Sequence, residues 1–150
     1  FGVGAALTAA VGTNIGANQY QRAKLIAKTG AFVTFVTIGI FGLLVSFMPW
    51  IWIDLFIDFD NSFLFASTYL TIVGPFYGFF AGGMTLYFAS QGTGTMIFPV
   101  LVNVVRLFVV LITCGATLTL QLDIQWLFIG TSLALLVNGK GQFLFLSSSP

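Results

Sequence analysis

The stretch "VLVNVVRLFVV" (residues 100–110) places a single arginine, Arg106, inside a run of apolar side chains. The whole chain is similarly apolar. Of its 150 residues 58% are hydrophobic and only 6% are charged, whereas about a quarter of the residues of a soluble domain are charged. This composition predicts an integral membrane protein in contact with the lipid bilayer, and it places Arg106 within the membrane. The net charge of +1 includes no dense basic cluster and gives no indication of nucleic-acid binding.

The positions of the charges divide the chain into helices. Residues 29–53 carry no charge, and about 20 apolar residues suffice to cross a bilayer core about 30 Å thick. Residues 61–105 are also uncharged, but turn-forming residues at 90–95 divide that stretch into two helices. The sequence therefore predicts an all-α polytopic helix bundle with four complete transmembrane helices and the end of a fifth. The fifth lies near 1–14, and the complete helices lie near 29–52, 63–90, 96–118 and 124–146.

The remaining charges separate by sign between the two ends of this predicted bundle. One end carries Arg22, Lys24, Lys28 and Lys140, and the other carries Asp54, Asp58, Asp60 and Asp123. Because basic residues favour the cytoplasmic side, we expect segment 15–28 and the C-terminus to be cytoplasmic. We also expect a multi-pass protein of the plasma membrane, or of the inner membrane if the source is bacterial. Trp50, Trp52 and Trp126 are expected to anchor helix ends at the opposite interface.

Arg106 belongs to a polar stripe on the predicted helix 96–118. At 100° per residue the stripe spans about 80°, and it contains Thr95, Pro99, Asn103, Arg106, Thr113, Thr117 and Gln121. A charged side chain near the bilayer centre costs about 3 kcal/mol, so such residues face a protein interior or a wet cavity. Three interpretations remain open for Arg106: it holds its helix to neighbouring carbonyl groups, it extends along the helix toward the turn at 91–95, or it orders a cavity-side polar network with Asn103 and Gln91.

The predicted helix 63–90 carries a glycine stripe and a proline. Gly74, Gly78 and Gly82 recur every four residues, which favours close helix packing, and Pro75 interrupts the helix. Packing explains the glycines, although Gly/Pro-interrupted spans are also typical of moving helices in transporters. The polar groups that this helix can present to a cavity are Tyr77, Thr85, Tyr87 and Gln91.

The connection between the first two helices is rich in glycine and amide residues. Gly12 and Gly16 are expected to end the first helix, and Asn18 with Gln21 has the spacing of a capping box. The chain has one cysteine, Cys114, and neither histidine nor glutamate. These residues offer no metal site, no cofactor site and no acid–base pair within the membrane, which disfavours a membrane enzyme.

Two stretches resemble the multidrug and toxic compound extrusion (MATE) family of transporters. "TAAVGTNIGANQYQRAKLIAKTGAF" (residues 8–32) resembles the link between the family's eighth and ninth helices, with Gly12, Asn14, Gly16 and Arg22 forming its cytoplasmic loop motif. "ASQGTGTMIFPVLVNVVRLFVV" (residues 89–110) resembles the link between the tenth and eleventh helices. The resemblance covers residues 1–150. It implies the end of the eighth helix to the twelfth helix of a two-lobe, twelve-helix protein, whose N-terminal lobe would be the partner of this part.

The resemblance implies a secondary active antiporter that exports drugs or other toxic organic compounds in exchange for H⁺ or Na⁺, without a cofactor. One feature departs from Na⁺-binding members, because residues 63–90 contain no acidic residue. We therefore expect the coupling carboxylate to lie in the N-terminal lobe. The alternatives are a lipid-linked saccharide flippase of the same superfamily and a small structural membrane subunit.

Overall fold

The computed structural model describes residues 1–55, 61–94 and 96–148, and every regular element within these ranges is a helix. Helix α1 spans Gly2–Gly16, α2 Tyr20–Phe47, α3 Pro49–Ile53, α4 Asn61–Val73, α5 Tyr77–Thr93, α6 Ile97–Thr119 and α7 Ile124–Ser148. The 3₁₀ turn Gly74–Phe76, which contains Pro75, joins α4 to α5. The predicted all-helical membrane fold is therefore confirmed.

Three of the described helical segments are long and apolar enough to cross a membrane, namely Tyr20–Phe47, Ser62–Thr93 and Ile97–Thr119. The fourth predicted span corresponds to α7, which has 25 residues and so exceeds the length of about 20 that a crossing needs. Its polar residues Asn138, Lys140 and Gln142 lower its hydropathy. Two of these three residues, Asn138 and Gln142, are buried against other helices.

Helix α5 lies at the centre of the bundle and packs against α1, α2 and α7, while α6 packs mainly against α7. The α2–α5 contact depends on glycine, because an added Cβ at Gly78 would lie 2.8 Å from the Phe35 carbonyl oxygen and 3.0 Å from Gly39 Cα. One turn before Gly78, in the 3₁₀ turn, Gly74 lies directly against Gly42. The two helices therefore approach backbone to backbone along this seam.

The α1–α5 contact brings together the two motifs that carry the family resemblance. An added Cβ at Gly92 would lie 3.0 Å from the backbone nitrogen of Gly12. One turn earlier on each helix, the Thr8 hydroxyl donates a hydrogen bond of 2.8 Å to the Phe88 carbonyl oxygen. Residues 91 and 92, predicted to be a turn, thus belong to α5, which ends at Gly94 with φ 74°.

The predicted extent of the loop, residues 15–28, is wrong, because only residues 17–19 separate α1 from α2. Gly12, Asn14 and Gly16 lie within α1, and Arg22 lies in the first turn of α2. The charges mark where the apolar segment begins, but the helix extends beyond it: 28 residues span about 42 Å at 1.5 Å each.

The predicted capping box is also wrong. Asn18 adopts a left-handed conformation with φ 58°, and the N-cap of α2 is Gln19, which makes no side-chain capping hydrogen bond.

Chain direction gives the bundle two ends. The basic end contains the end of α1, the start of α2 and the ends of α5 and α7, and four of the five basic residues lie in these segments: Arg22, Lys24, Lys28 and Lys140. The acidic end contains Asp54 and Asp123, with Trp50, Trp52 and Trp126 exposed beside them. Asp58 and Asp60 lie outside the described residues.

Candidate functional site

The polar stripe of α6 faces protein, and the opposite side of the helix is exposed. Pro99 is buried, and Asn103, Arg106, Thr113 and Thr117 are partly buried. The exposed positions are the large apolar ones, among them Val100, Leu101, Val104, Val105, Leu107, Phe108 and Leu111. Gln121 lies beyond the helix end and is exposed. This orientation agrees with the periodicity argument for Arg106.

Arg106 lies near the middle of α6 and reaches across to α5. Its guanidinium carbon is 5.2 Å from the centre of the Phe80 ring, in cation–π contact. Such a contact contributes about 0.5–2 kcal/mol, which is less than the cost of about 3 kcal/mol for a charge at the bilayer centre. The aromatic ring therefore offsets only part of that cost. Water or further polar contacts are needed to offset the rest.

A network of amide side chains joins α6 to α7 one turn from Arg106. The Asn138 side-chain nitrogen donates a hydrogen bond of 2.9 Å to Asn103 Oδ1. The Asn103 nitrogen donates to the Pro99 carbonyl oxygen at 3.1 Å, and Gln142 Nε2 donates to the same oxygen at 3.0 Å. The Pro99 carbonyl is therefore the shared acceptor at which the two helices meet.

This network offers two further acceptors. Asn138 and Gln142 have relative exposures of 0% and 1%. In the described part of the chain, Asn138 Oδ1 and Gln142 Oε1 have no hydrogen-bond donor. A buried amide oxygen without a donor costs about 1–3 kcal/mol. Both oxygens are inaccessible in this conformation, and Asn138 Oδ1 lies against Gly83 of α5, so a donor can reach them only if the side chains or helices shift.

Gln142 connects the network to a cavity of about 730 Å³ at the basic end of the bundle. All five long helices that meet there contribute to its wall, including Val11 of α1, Lys24 of α2, Ser90 of α5 and Phe98 of α6. Small-molecule sites in proteins typically measure about 300–1,000 Å³. The cavity is therefore large enough for a drug-sized molecule.

Thr85, a predicted cavity residue, lies between α5 and α2. It is 4% exposed, and its hydroxyl bonds to the Ala81 carbonyl oxygen at 2.8 Å and to Thr34 Oγ1 at 3.0 Å. It therefore stabilises the same seam that Gly74, Gly78 and Gly82 form with α2.

The other predicted cavity residues are also separate from the amide network in the described structure. Tyr77 packs beside Gly42 of α2, and the ring of Tyr87 lies 6.1 Å from that of Phe88. Gln91 is partly buried in the last turn of α5, where its carbonyl oxygen accepts the Gly94 N–H at 3.3 Å. Within the residues described, no hydrogen bond joins these three side chains to Asn103.

Sequence reasoning missed the two α7 amides. Asn138 and Gln142 are four residues apart and so lie on one helix face, which is a signal of a buried polar stripe. Two glycines and Lys140 lie between them, and this composition resembles the polar end of a membrane span.

A family model described as MatE matches residues 1–116 of the 150. The match extends from α1 through nearly all of α6 and includes both motifs that pack together at Gly12 and Gly92. Neither the curated proteins nor the solved structures contain a significant match.

Proposed function

Because the chain belongs to the MatE family of transporters, we propose that it forms part of a secondary active antiporter that exports drugs or other toxic organic compounds in exchange for H⁺ or Na⁺. The family match and the three apolar spans support a multi-pass membrane transporter. The direction of transport, the class of substrate and the coupled ion are proposed in addition.

The observation that carries the proposal is the position of Arg106. The Arg106 guanidinium, in the middle of an apolar helix, is partly buried against Phe80 of α5, one helical turn from the amide network at Asn103. Intramembrane charges with this orientation typically mark substrate or ion pathways. We therefore assign the α5–α6–α7 junction to the wall of the transport pathway.

The proposed substrate is an apolar organic molecule that carries a hydrogen-bond donor. The walls of the cavity at the basic end include Phe98, Phe145 and Leu146, and Gln142 lines the same wall, although its Oε1 is itself buried. Apolar walls with few polar groups are typical of sites that bind drug-like compounds. An amine or hydroxyl group of the substrate would supply the donor that Gln142 Oε1 accepts.

We place the coupling carboxylate in the N-terminal lobe. The described acidic residues, Asp54 and Asp123, lie at the acidic end, far from Arg106 along the helices. The amide oxygens of Asn138 and Gln142 cannot bind and release a proton near neutral pH, so a carboxylate elsewhere in the protein is required for H⁺ exchange.

The second candidate is a lipid-linked saccharide flippase of the same superfamily. It is favoured by Arg106 within the membrane and by Lys24 on the cavity wall, since both cations would attract an anionic diphosphate group. The two proposals differ in the substrate whose transport should be lost when Arg106 is replaced: an organic compound for the antiporter, and a lipid-linked saccharide for the flippase.

The test is Arg106→Ala in the complete gene product, with Leu107→Ala as control. Leu107 neighbours Arg106 on α6 but is 54% exposed, so its truncation leaves the polar face intact. We expect Arg106→Ala to slow efflux of a fluorescent organic cation at least about tenfold at an equal amount of protein in the membrane, and Leu107→Ala to leave efflux unchanged.

Two results would contradict the proposal. Loss of protein from the membrane in parallel with loss of efflux would show that Arg106 only stabilises packing. Unimpaired dye efflux, together with lost translocation of a lipid-linked saccharide, would favour the flippase.

A further inference from the structure

A second cavity, of about 370 Å³, lies between α2, α5 and α7 and contains two lysines. Helix α5 forms its floor with Phe79, Gly82, Gly83 and Leu86. Helices α2 and α7 form its walls, mainly with Phe32 and Phe35 on one side and Phe143 and Leu144 on the other. We call this cavity the lysine groove, because Lys28 and Lys140 also line it, one on each wall.

The two lysines lie at the same depth. Lys28 is eight residues from the start of α2 at Tyr20, and Lys140 is eight residues from the end of α7 at Ser148. At 1.5 Å per residue both positions are about 12 Å from the basic end of their helices. Because a lysine side chain extends several ångströms along the helix surface toward water, both ammonium groups reach the head-group region.

The groove continues from the lysines toward the bilayer centre with apolar walls. Phe32 and Phe35 follow Lys28 on α2, and the ring of Phe35 meets the ring of Phe79 edge to face at 5.1 Å. Phe32 is 67% exposed and Phe35 37% exposed, so the α2 wall of this inner part is open toward the surrounding medium, whereas Phe143 and Leu144 of α7 lie between Lys140 and the basic end. Since that medium is lipid over most of the helix length, the groove is accessible from the bilayer.

Within the described residues, no acidic side chain lies at the end of the bundle that carries the groove. The described acidic residues, Asp54 and Asp123, lie at the opposite end of the bundle. An occupant with one anionic end and one apolar end matches both parts of the groove: its anion pairs with the two lysines, and its chain lies along the α2 phenylalanines.

From this arrangement we propose that the lysine groove binds an anionic phospholipid, with the phosphate between Lys28 and Lys140 and an acyl chain along Phe32 and Phe35. The site is distinct from the cavity at Gln142 and is independent of the transport proposal. Its occupancy depends on membrane composition, so anionic lipid would stabilise the contact of α2 and α7 with α5.

The test measures lipid retained by the purified full-length protein in detergent, using native mass spectrometry with equal amounts of phosphatidylglycerol and phosphatidylcholine that carry identical acyl chains. Each basic residue strengthens association with anionic lipid about fivefold. We therefore expect K28Q and K140Q each to lower the retention of phosphatidylglycerol about fivefold, and the double variant to lower it roughly 25-fold. Retention of phosphatidylcholine should not change.

The matched control is R22Q. Arg22 is an exposed cation at the same end of the bundle and does not line the lysine groove, so its removal should change retention less than twofold. All three positions are exposed, and glutamine preserves helix propensity, so the variants should fold. Circular dichroism and size-exclusion chromatography check this.

Three outcomes would overturn the proposal. If R22Q lowers retention of phosphatidylglycerol as much as K28Q or K140Q does, the lipid responds to surface charge in general and not to this groove. If the double variant retains as much phosphatidylglycerol as the unmodified protein, another part of the protein covers the groove. Retention of inorganic phosphate in place of the lipid, abolished by K28Q and K140Q, would show an anion site without a lipid chain.

Discussion

Replacing Gly78 with alanine tests the seam that positions α5. A Cβ atom at this position would lie 2.8 Å from the Phe35 carbonyl oxygen and 3.0 Å from Gly39 Cα, whereas ordinary contacts begin at 3.4 Å. Both neighbouring atoms belong to the backbone, so neither can rotate away. Helix α2 must therefore retreat by about 0.6 Å, and this shift also loosens the contact between Gly42 and Gly74.

We expect Gly78→Ala to lower the free energy of unfolding by about 1–3 kcal/mol relative to a matched glycine, as overpacking does in other cores. The matched position is Gly115 of α6, where no heavy atom lies within 4 Å of an added Cβ. Both substitutions improve helix propensity by about 1 kcal/mol. The difference in unfolding free energy between the two variants therefore measures the cost of the new contact between the Cβ at residue 78 and α2. The measurement is unfolding by sodium dodecyl sulfate in mixed micelles, followed by tryptophan fluorescence. Equal stability of the two variants would refute the proposed backbone contact.

Three further predictions concern the polar groups. A double-mutant cycle with Asn103→Ala and Asn138→Ala should give a coupling energy of about 0.6–1.7 kcal/mol, as for other hydrogen bonds within membranes, and zero coupling would contradict the bond. Phe80→Leu should destabilise the protein by about 0.5–2 kcal/mol, and this loss should disappear when Arg106 is already replaced by alanine. A cysteine at Asn18, in a variant without the native cysteine, should react with an impermeant maleimide only from the cytoplasmic side, and labelling from outside would reverse the proposed topology.

The helices could be predicted because charge and hydropathy act along the chain itself. The five predicted segments correspond to α1, α2, α4 with α5, α6 and α7. The error at residues 20–28 has a physical cause, since hydropathy reports where lipid begins, and a helix can continue into water when its residues favour it. The capping box predicted at Asn18 was wrong because the sequence pattern does not show which backbone conformation Asn18 adopts.

Part of the site could be predicted and part could not. Periodicity along α6 identified which face carries Arg106 and Asn103, because 100° per residue is a property of a single helix. The partners of that face, Phe80, Asn138 and Gln142, depend on the register between helices. That register is fixed by contacts such as Gly141 against Val102, which link positions far apart in sequence and leave no local pattern.

The energetics of the α6–α7 seam favour a role for its amides beyond packing. Gly130 already lies against Thr113, and Gly141 lies against Val102, so small residues alone would hold the two helices together. The amide network adds hydrogen bonds of about 0.6 kcal/mol each, yet it leaves two buried oxygens without donors in the described structure, at about 1–3 kcal/mol apiece. An apolar seam of the same shape would therefore be at least as stable. Gln142 also lines the large cavity, and the cost of its oxygen is consistent with the proposed hydrogen bond to a transported molecule.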